Sequence, residues 1–379
     1  MLWVVMPFIG LLLTMLLTAP IVKALPFGTF DARSMAMGGV GVATGSRYAS
    51  FNNPALLTTA DEIHEWFVLV PTIGLQTNDP DAVEDSLTAF QQAATVLDSD
   101  NTSANRTAVQ TPLNNLDGTR YSVRKNSALM VTIPSRILSG AAFFNVYEVS
   151  SAKPNIGGDD LSATTPSYSS TLAQRGLRVA ENGVSAATIL EIDRGWARNL
   201  AIGLNAKFLL IEGYGYTEPL RSAEVDVDRS GRITGSQFQF DIGILKELGV
   251  WKIGLVAKNI AAASFKYGDS GEKFKIAPQL RAGFAYQSRY SVLEFNIDLL
   301  ENDPVGFNEP SQIASVGGEW FAWRWLAFRA GFNQNLTGNE AAYGSLGLGI
   351  ILGEGIHLDV AGFSGDEGEG LSAQMGFQF

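Results

Sequence analysis

Cysteine is absent from the 379 residues, which excludes disulfide staples, thiol catalysis, thiolate metal sites and lipid attachment through sulfur. Histidine is nearly absent. His64 and His357 are too few for a histidine-based triad or metal centre. Charge is scarce too, at 17% of residues against about 25% in an ordinary soluble domain. The balance is acidic, −11 overall, so a broad nucleic-acid-binding surface is not expected. Long apolar runs are missing after the first residues, where no stretch reaches the roughly 18 residues of a membrane-crossing helix.

What the chain has instead is apolar residues, 46% of the total, and 40 glycines. The one apolar run, Leu2–Leu17, has the length of a signal-peptide core rather than a bilayer span. Val22 and Ala24 occupy the −3 and −1 positions of a cleavage site, so residues 1–24 read as a signal peptide and the mature chain starts at Leu25. The segment before the run lacks Lys and Arg, a departure that leaves an uncleaved anchor as the alternative.

From Trp66 onward the dominant period is two, the signal of strands. Phe238, Phe240, Ile242 and Ile244 alternate with Gln237, Gln239, Asp241 and Gly243; Leu293, Phe295 and Ile297 alternate with Glu294, Asn296 and Asp298; Leu371, Ala373, Met375, Phe377 and Phe379 close the chain in the same rhythm. A soluble sandwich also alternates, with its apolar face inward. Three features argue for apolar side chains outward. The segments are about 10 residues long, as a tilted membrane strand requires. Tight joins such as Glu247–Gly249, Ser288–Tyr290, Ala322–Arg324 and Gly353–Gly355 alternate with long ones, Asn333–Glu340 and Gly365–Gly370 among them. And Trp66, Trp196, Trp251, Trp320, Trp323 and Trp325, with Tyr290 and Phe379, fall at the tight-join end, as an interfacial aromatic girdle does.

The expected fold is therefore all-β: a closed antiparallel transmembrane barrel of about fourteen strands over residues 63–379, in the bacterial outer membrane. The first strand, Trp66–Leu75, contains Pro71, and the second is read as Ser127–Ile133. The inward positions expected from the alternation include Lys207, Asp241, Lys252, Arg281, Glu294, Asp298, Arg329 and Asp359. Between the first two strands, Asp79–Asp98 reads as an amphipathic helix with Asp79 as N-cap and Pro80 at its first position. Ser99–Asp117 reads as polar, mobile loop.

The residues before the barrel are not strand-like. Ala32-Arg33-Ser34-Met35-Ala36-Met37-Gly38-Gly39-Val40-Gly41-Val42-Ala43, followed by Asn52-Asn53-Pro54-Ala55-Leu56, resembles the start of the FadL-like outer-membrane proteins, and among them the branch named after conjugal-transfer TraF. The resemblance implies that residues 25–62 fold into the barrel as a hatch, with Arg33, Met37, Gly38, Gly39, Gly41, Asn53 and Pro54 as its hatch or gating residues. Arg33 is expected to pair with an inward carboxylate such as Asp241, Glu294, Asp298 or Asp359. The plain alternative for Gly38–Gly41 is a flexible loop; a phosphate-cradling reading fails, because the third glycine and a preceding strand are missing. A thioredoxin-like conjugation protein shares the TraF name, but a chain without cysteine cannot carry out disulfide chemistry.

No constellation for catalysis emerges, and no metal or cofactor is called for. The acidic loops at Asp159-Asp160 and at Asp366, Glu367 and Glu369 lack EF-hand spacing. The expected partners are outer-membrane lipid, the barrel-insertion machinery that reads a terminal aromatic strand, and a hydrophobic small molecule as cargo. The resemblance implies passive uptake, with an apolar cavity between outer loops and hatch and a kinked strand beside the plug. The alternative is a non-transporting scaffold for conjugation, secretion or envelope assembly.

Overall fold

The computed structural model describes residues 31–45, 47–59, 66–133, 135, 137–162, 168–190, 198–225, 233–268, 271–303, 305–338, 341–353, 355–366 and 368–379. The expected leader and its cleavage site, His64 and Trp196 lie outside the described residues.

Alternating sequence becomes strand after strand: β1 (Phe67–Asn78), β2 (Tyr121–Ile133), β3 (Ser139–Asn155), β4 (Thr171–Leu190), β5 (Leu200–Pro219), β6 (Ile233–Leu248) and β7 (Trp251–Lys258). A short pair follows, β8 (Ala263–Lys266) and β9 (Lys273–Ile276). Then come β10 (Gln279–Gln287), β11 (Ser291–Asp298), β12 (Ile313–Trp323), β13 (Leu326–Asn335), β14 (Tyr343–Leu352), β15 (Ile356–Gly365) and β16 (Gly368–Gln378). All but β8 and β9 form one closed antiparallel barrel of 14 strands, in which β1 pairs with β16. At that seam Trp66 and Phe379 exchange backbone hydrogen bonds of 2.9 and 3.0 Å. Closure leaves the ladder without an edge, which hydrocarbon requires.

The wall is inverted relative to a soluble domain. Phe240 is 43% exposed while Asp241, the next residue, is 1% exposed. Phe295 and Leu293 are exposed beside buried Glu294 and Asn296. The tight-join end carries exposed Trp66, Trp251, Tyr290, Trp320, Trp323, Trp325 and Phe379. Trp323 stacks on Trp325 at 5.7 Å and Trp320 on Phe328 at 6.0 Å.

Several boundaries differ from the sequence reading. β1 and β2 run on to Asn78 and back to Tyr121, and β4 and β5 reach 20 residues each. The extra length projects past the apolar band. Its start is marked by an outward row of opposite charges on neighbouring strands, Lys125 opposite Glu148, Glu148 opposite Arg178, and Arg178 opposite Glu212. Pro71, which cannot donate to a ladder, sits in a register shift of β1 against both β2 and β16. The last outer connection, expected to be long around Gly365–Gly370, is tight, because β15 ends at Gly365 and β16 begins at Gly368.

The first outer loop holds two helices rather than one. Val83–Ser99 starts three residues later than expected, with Ala82 in the left-handed region (φ 51°), while the Asp79 carboxylate still accepts from the Val83 N–H at 2.7 Å. Ser103–Leu116 is helical where a polar mobile loop was expected: Thr102 caps it, and Val109, Leu113 and Leu116 pack with Leu87, Phe90 and Leu97. The pair rests on Ala152 and Leu172 of the prolonged strands.

Candidate functional site

Within the segment expected to be a hatch, the first described residue is Asp31, whose carboxylate accepts from the Ser34 N–H and hydroxyl and caps the short helix Ala32–Ala36. Asn52 donates to the same carboxylate at 2.8 Å and to Ser34 Oγ at 2.8 Å, joining the two motif halves. Gly38 and Gly39 leave the helix at φ 73° and 89°, a region that disfavours residues with a Cβ. The chain then presents successive amides to one point. Gly41, Val42 and Ala43 N–H groups donate to Glu294 Oε1 at 3.1, 2.8 and 2.8 Å; the Thr44 N–H donates to Oε2 at 3.0 Å, and the Thr44 hydroxyl donates there as well. This is an anion-binding nest whose anion is a wall carboxylate. Asn53 donates to the Val42 and Ile244 carbonyls, and its Oδ1 accepts from Ala55 N–H, opening the 3-10 turn Pro54–Thr58.

The inward carboxylate that Arg33 pairs with is Glu319, outside the set expected from the sequence. Arg33 donates to Glu319 Oε2 from Nε and Nη2 at 3.1 and 2.8 Å. The other oxygen of Glu319 accepts from Arg329 Nε at 2.7 Å, and Arg329 reaches Asp359 at 2.5 Å. Gln374 donates to Asp359 Oδ2 and accepts from Ala32 N–H, which returns the network to the hatch. A second buried group joins Lys207 to Glu181 and Asp241, each at 3.1 Å, with Asn205 donating to Asp241 and Asn145 to Glu181. Arg281 pairs with Asp298 at 2.6 Å and donates to the Gly39 carbonyl. Lys252 is apart from these, on β7 beside the turn, paired with half-exposed Glu247. Charges this deep persist because each is neutralised and hydrogen-bonded.

The wall is shaped to receive the hatch. Added methyls at Gly203, Gly243, Gly254, Gly317, Gly331 and Gly347 would overlap Pro54, Asn53, Val42, Met37, Gly38 and Ala36 respectively. Gly203 is register-paired with Gly243, Gly254 with Gly283, and Gly317 with Gly331. The hatch backbone thus lies in a glycine-lined trough across adjacent strands, and Ser345 Oγ, between Gly38 N–H and the Ala36 carbonyl, fixes it there.

Glu319, Glu181, Ser345 and Gln374 were not singled out from sequence. The signal was present for Glu319: Val316, Gly318 and Trp320 point outward, so Glu319 must point in. Nothing in the sequence said which arginines it would serve. His357 faces inward and lies 3.3 Å from Gln378. Asp160 is an intraloop staple, accepting from Ser169 and Ser170. Among the described residues no three His, Asp or Glu side chains are grouped to hold a metal ion.

Outward of the hatch, β8–β9 fold into the mouth. Tyr267, Phe274 and Ile276 pack on Val149, Leu177, Val179, Leu209 and Ile211 of the inner wall. An apolar hollow of about 830 Å³ lies not between loops and hatch but on the outward face of the wall. It is lined by Gly318, Ala330 and Gly362 among Trp320, Phe328, Leu346 and Leu371.

The family described as "F plasmid transfer operon, TraF, protein" matches residues 50–298. No curated protein matches the sequence. The fold is shared with solved structures of FadL and TodX type. The Pseudomonas putida toluene transporter TodX aligns at TM-score 0.51 and 11% identity, covering 92% of this chain and 97% of that one. The CymD monoaromatic hydrocarbon channel aligns at 0.54 and 11%, covering 94% and 98%. A Pseudomonas aeruginosa FadL homologue aligns at 0.53 and 10%, covering 94% and 99%.

Proposed function

Since the chain belongs to the TraF family of the F plasmid transfer operon and folds as a FadL-like barrel, we propose that it resides in the outer membrane and passes hydrophobic small molecules across it without an energy source. The observation that carries this reading is the occupied lumen: residues 31–59 lie across a wide barrel, and the inner wall above them is apolar and covered by β8–β9. About fourteen strands enclose more space than wall side chains fill, so a plug is needed to hold a polar leak shut while a cargo site remains. The register shift at Pro71 supplies a weakened ladder beside the hatch residues Phe51 and Leu57, which pack on β1. A kinked strand beside the plug is what the resemblance to FadL-like proteins implies.

A second reading has its own support. The Glu294 nest and the Arg33–Glu319–Arg329–Asp359 network tie the hatch to the wall with buried, charge-assisted bonds. A fixed plug suits a scaffold that docks a conjugation or secretion partner.

Reconstituted uptake separates the two. Liposomes carrying the full chain should take up laurate or toluene faster than protein-free liposomes, and deletion of residues 31–59 should change that rate. Uptake equal to that of protein-free liposomes, together with a periplasmic or surface protein that co-purifies, would replace transport with the scaffold.

A further inference from the structure

Across β12 to β15 the wall that seats the hatch is bare on both faces. The inward glycines Gly317, Gly331 and Gly347 have a reason to be glycine, since a methyl on any of them would run into Met37, Gly38 or Ala36. Their outward counterparts have no such reason. A methyl on Gly318 would meet nothing nearer than the Val292 carbonyl at 3.7 Å. One on Gly362 would meet Leu371 at 3.4 Å and the Gly370 carbonyl at 3.7 Å, both ordinary contacts. Neither glycine has a positive φ. Register pairing runs from Gly318 to Ala330, Leu346, Gly362 and Leu371, so small residues lie on either side of Leu346. They floor the outward hollow of about 830 Å³, which is within the range of about 300–1,000 Å³ for ligand pockets.

The hollow is continuous with the hydrocarbon-facing band. Its rim toward the tight-join end is Trp320, stacked on Phe328. Leu346 and Leu371 stand strongly exposed from its floor. Glu319 and Arg329 border it, but their side chains are buried and turned into the barrel, so nothing along it would hold a charged headgroup. The floor's backbone groups are engaged in the strand ladder, and hydrocarbon can lie on them without a polar penalty. A gap left there would forfeit dispersion contacts along its whole lining. Two convex barrels touch along a narrow line and leave such a hollow open, whereas a flexible methylene chain follows it. Short joins mark the periplasmic side of a barrel in the outer membrane, so the chain reaches the hollow from that leaflet.

We propose that the outward hollow of β12–β15 is an acyl-chain site, in which one hydrocarbon chain of a periplasmic-leaflet phospholipid lies against bare backbone. The chain takes the space that Gly318 and Gly362 leave open and completes, from outside, the wall whose inner face seats the hatch. The inference rests on the outer-membrane placement proposed above and is independent of transport.

The test uses the full chain in phosphatidylethanolamine vesicles with Trp320 as its sole tryptophan, the others being replaced by phenylalanine. Host lipid is exchanged stepwise for the same lipid brominated at mid-chain. One fixed chain should make the Trp320 fluorescence fall in proportion to the brominated fraction; a ring of exchanging neighbours makes it fall more steeply. Gly318→Leu with Gly362→Leu fills the hollow from the protein side and should turn the proportional fall into the steep one. Gly344→Leu, on the same face with open space around it but outside the hollow, should leave the fall proportional. A steep fall in the absence of these leucines, or a proportional one that survives the filled hollow, overturns the proposal. Weak quenching together with a cross-linked dimer that the filled hollow abolishes assigns the surface to a second copy and overturns it as well. No quenching at any brominated fraction takes Trp320 out of lipid and sinks the membrane placement along with the site. Should the single-tryptophan chain not fold, the natural sequence labelled with fluorotryptophan gives the same curve, through broadening of the Trp320 fluorine signal by doxyl-chain lipid.

Discussion

Arg33 of the hatch and Glu319 of β12 lie 286 residues apart in sequence and meet in the barrel interior, two N–H groups of the guanidinium donating to one carboxylate oxygen. The same carboxylate receives Arg329 on its other oxygen, so one wall side chain holds both the plug and the strand beside it.

Glu319→Ala should therefore cost more than a surface substitution. It leaves two buried guanidinium groups short of a partner, a loss of about 3–5 kcal/mol by comparison with other broken buried pairs. Urea unfolding in lipid vesicles measures it. A change below about 1 kcal/mol would show that the network contributes little.

Glu294→Ala removes the acceptor for consecutive hatch amides at Gly41 to Thr44. Each buried N–H left unsatisfied costs about 1–3 kcal/mol, enough to speed local opening about tenfold or more. Val42→Cys, buried and the protein's sole thiol, should then react with maleimide faster by at least that factor in the Glu294→Ala background. The same rate in both backgrounds would deny the nest its role.

Gly317→Ala and Gly331→Ala drive a methyl into Met37 and Gly38, whereas Gly344→Ala meets open space at an ordinary φ. The first two should lower the temperature at which the folded barrel loses its heat-modifiable gel mobility, and the third should leave it unchanged. Equal effects at all three positions would mean that the trough is not fitted to the hatch.

The β8–β9 hairpin should respond to alkali. Burial lifts the Tyr267 phenol from its ordinary value of 10.0 to about 12 where β8–β9 pack on the inner wall. The packed hairpin holds the proton more firmly than an unpacked one, so this group's contribution to packing is complete below pH 10 and is lost as pH rises through about 12. Labelling of Phe274→Cys should accelerate across that window. Tyr267→Phe should flatten the rise, and a rise that persists in Tyr267→Phe would assign it to other groups.

The barrel was legible because its period is unmistakable wherever both faces are uniform, as in Phe238–Ile244 or Leu371–Phe379. Legibility faded where strands leave the apolar band. Leu172 and Ala152 are buried under helices there, so the alternation no longer separates inside from outside. The Ser103–Leu116 helix was hidden by its polar composition and by Pro112, which sits inside it. The inward set was readable one residue at a time, but pairing was not. Periodicity fixes which way Glu294, Glu319 and Arg329 point without fixing the depth at which each meets the hatch. The trough was visible as inward glycines at Gly243, Gly254, Gly283 and Gly331, yet nothing marked them as a mould until the hatch lay in it.

That mould constrains how proteins of this kind can diverge. A wall position such as Gly243 accepts a bulkier residue only if Asn53 retreats in step. Plug and cylinder must therefore drift as one inheritance, and a chimera that borrows residues 31–59 from a distant barrel would need the cylinder's inner surface recut before it could seat them.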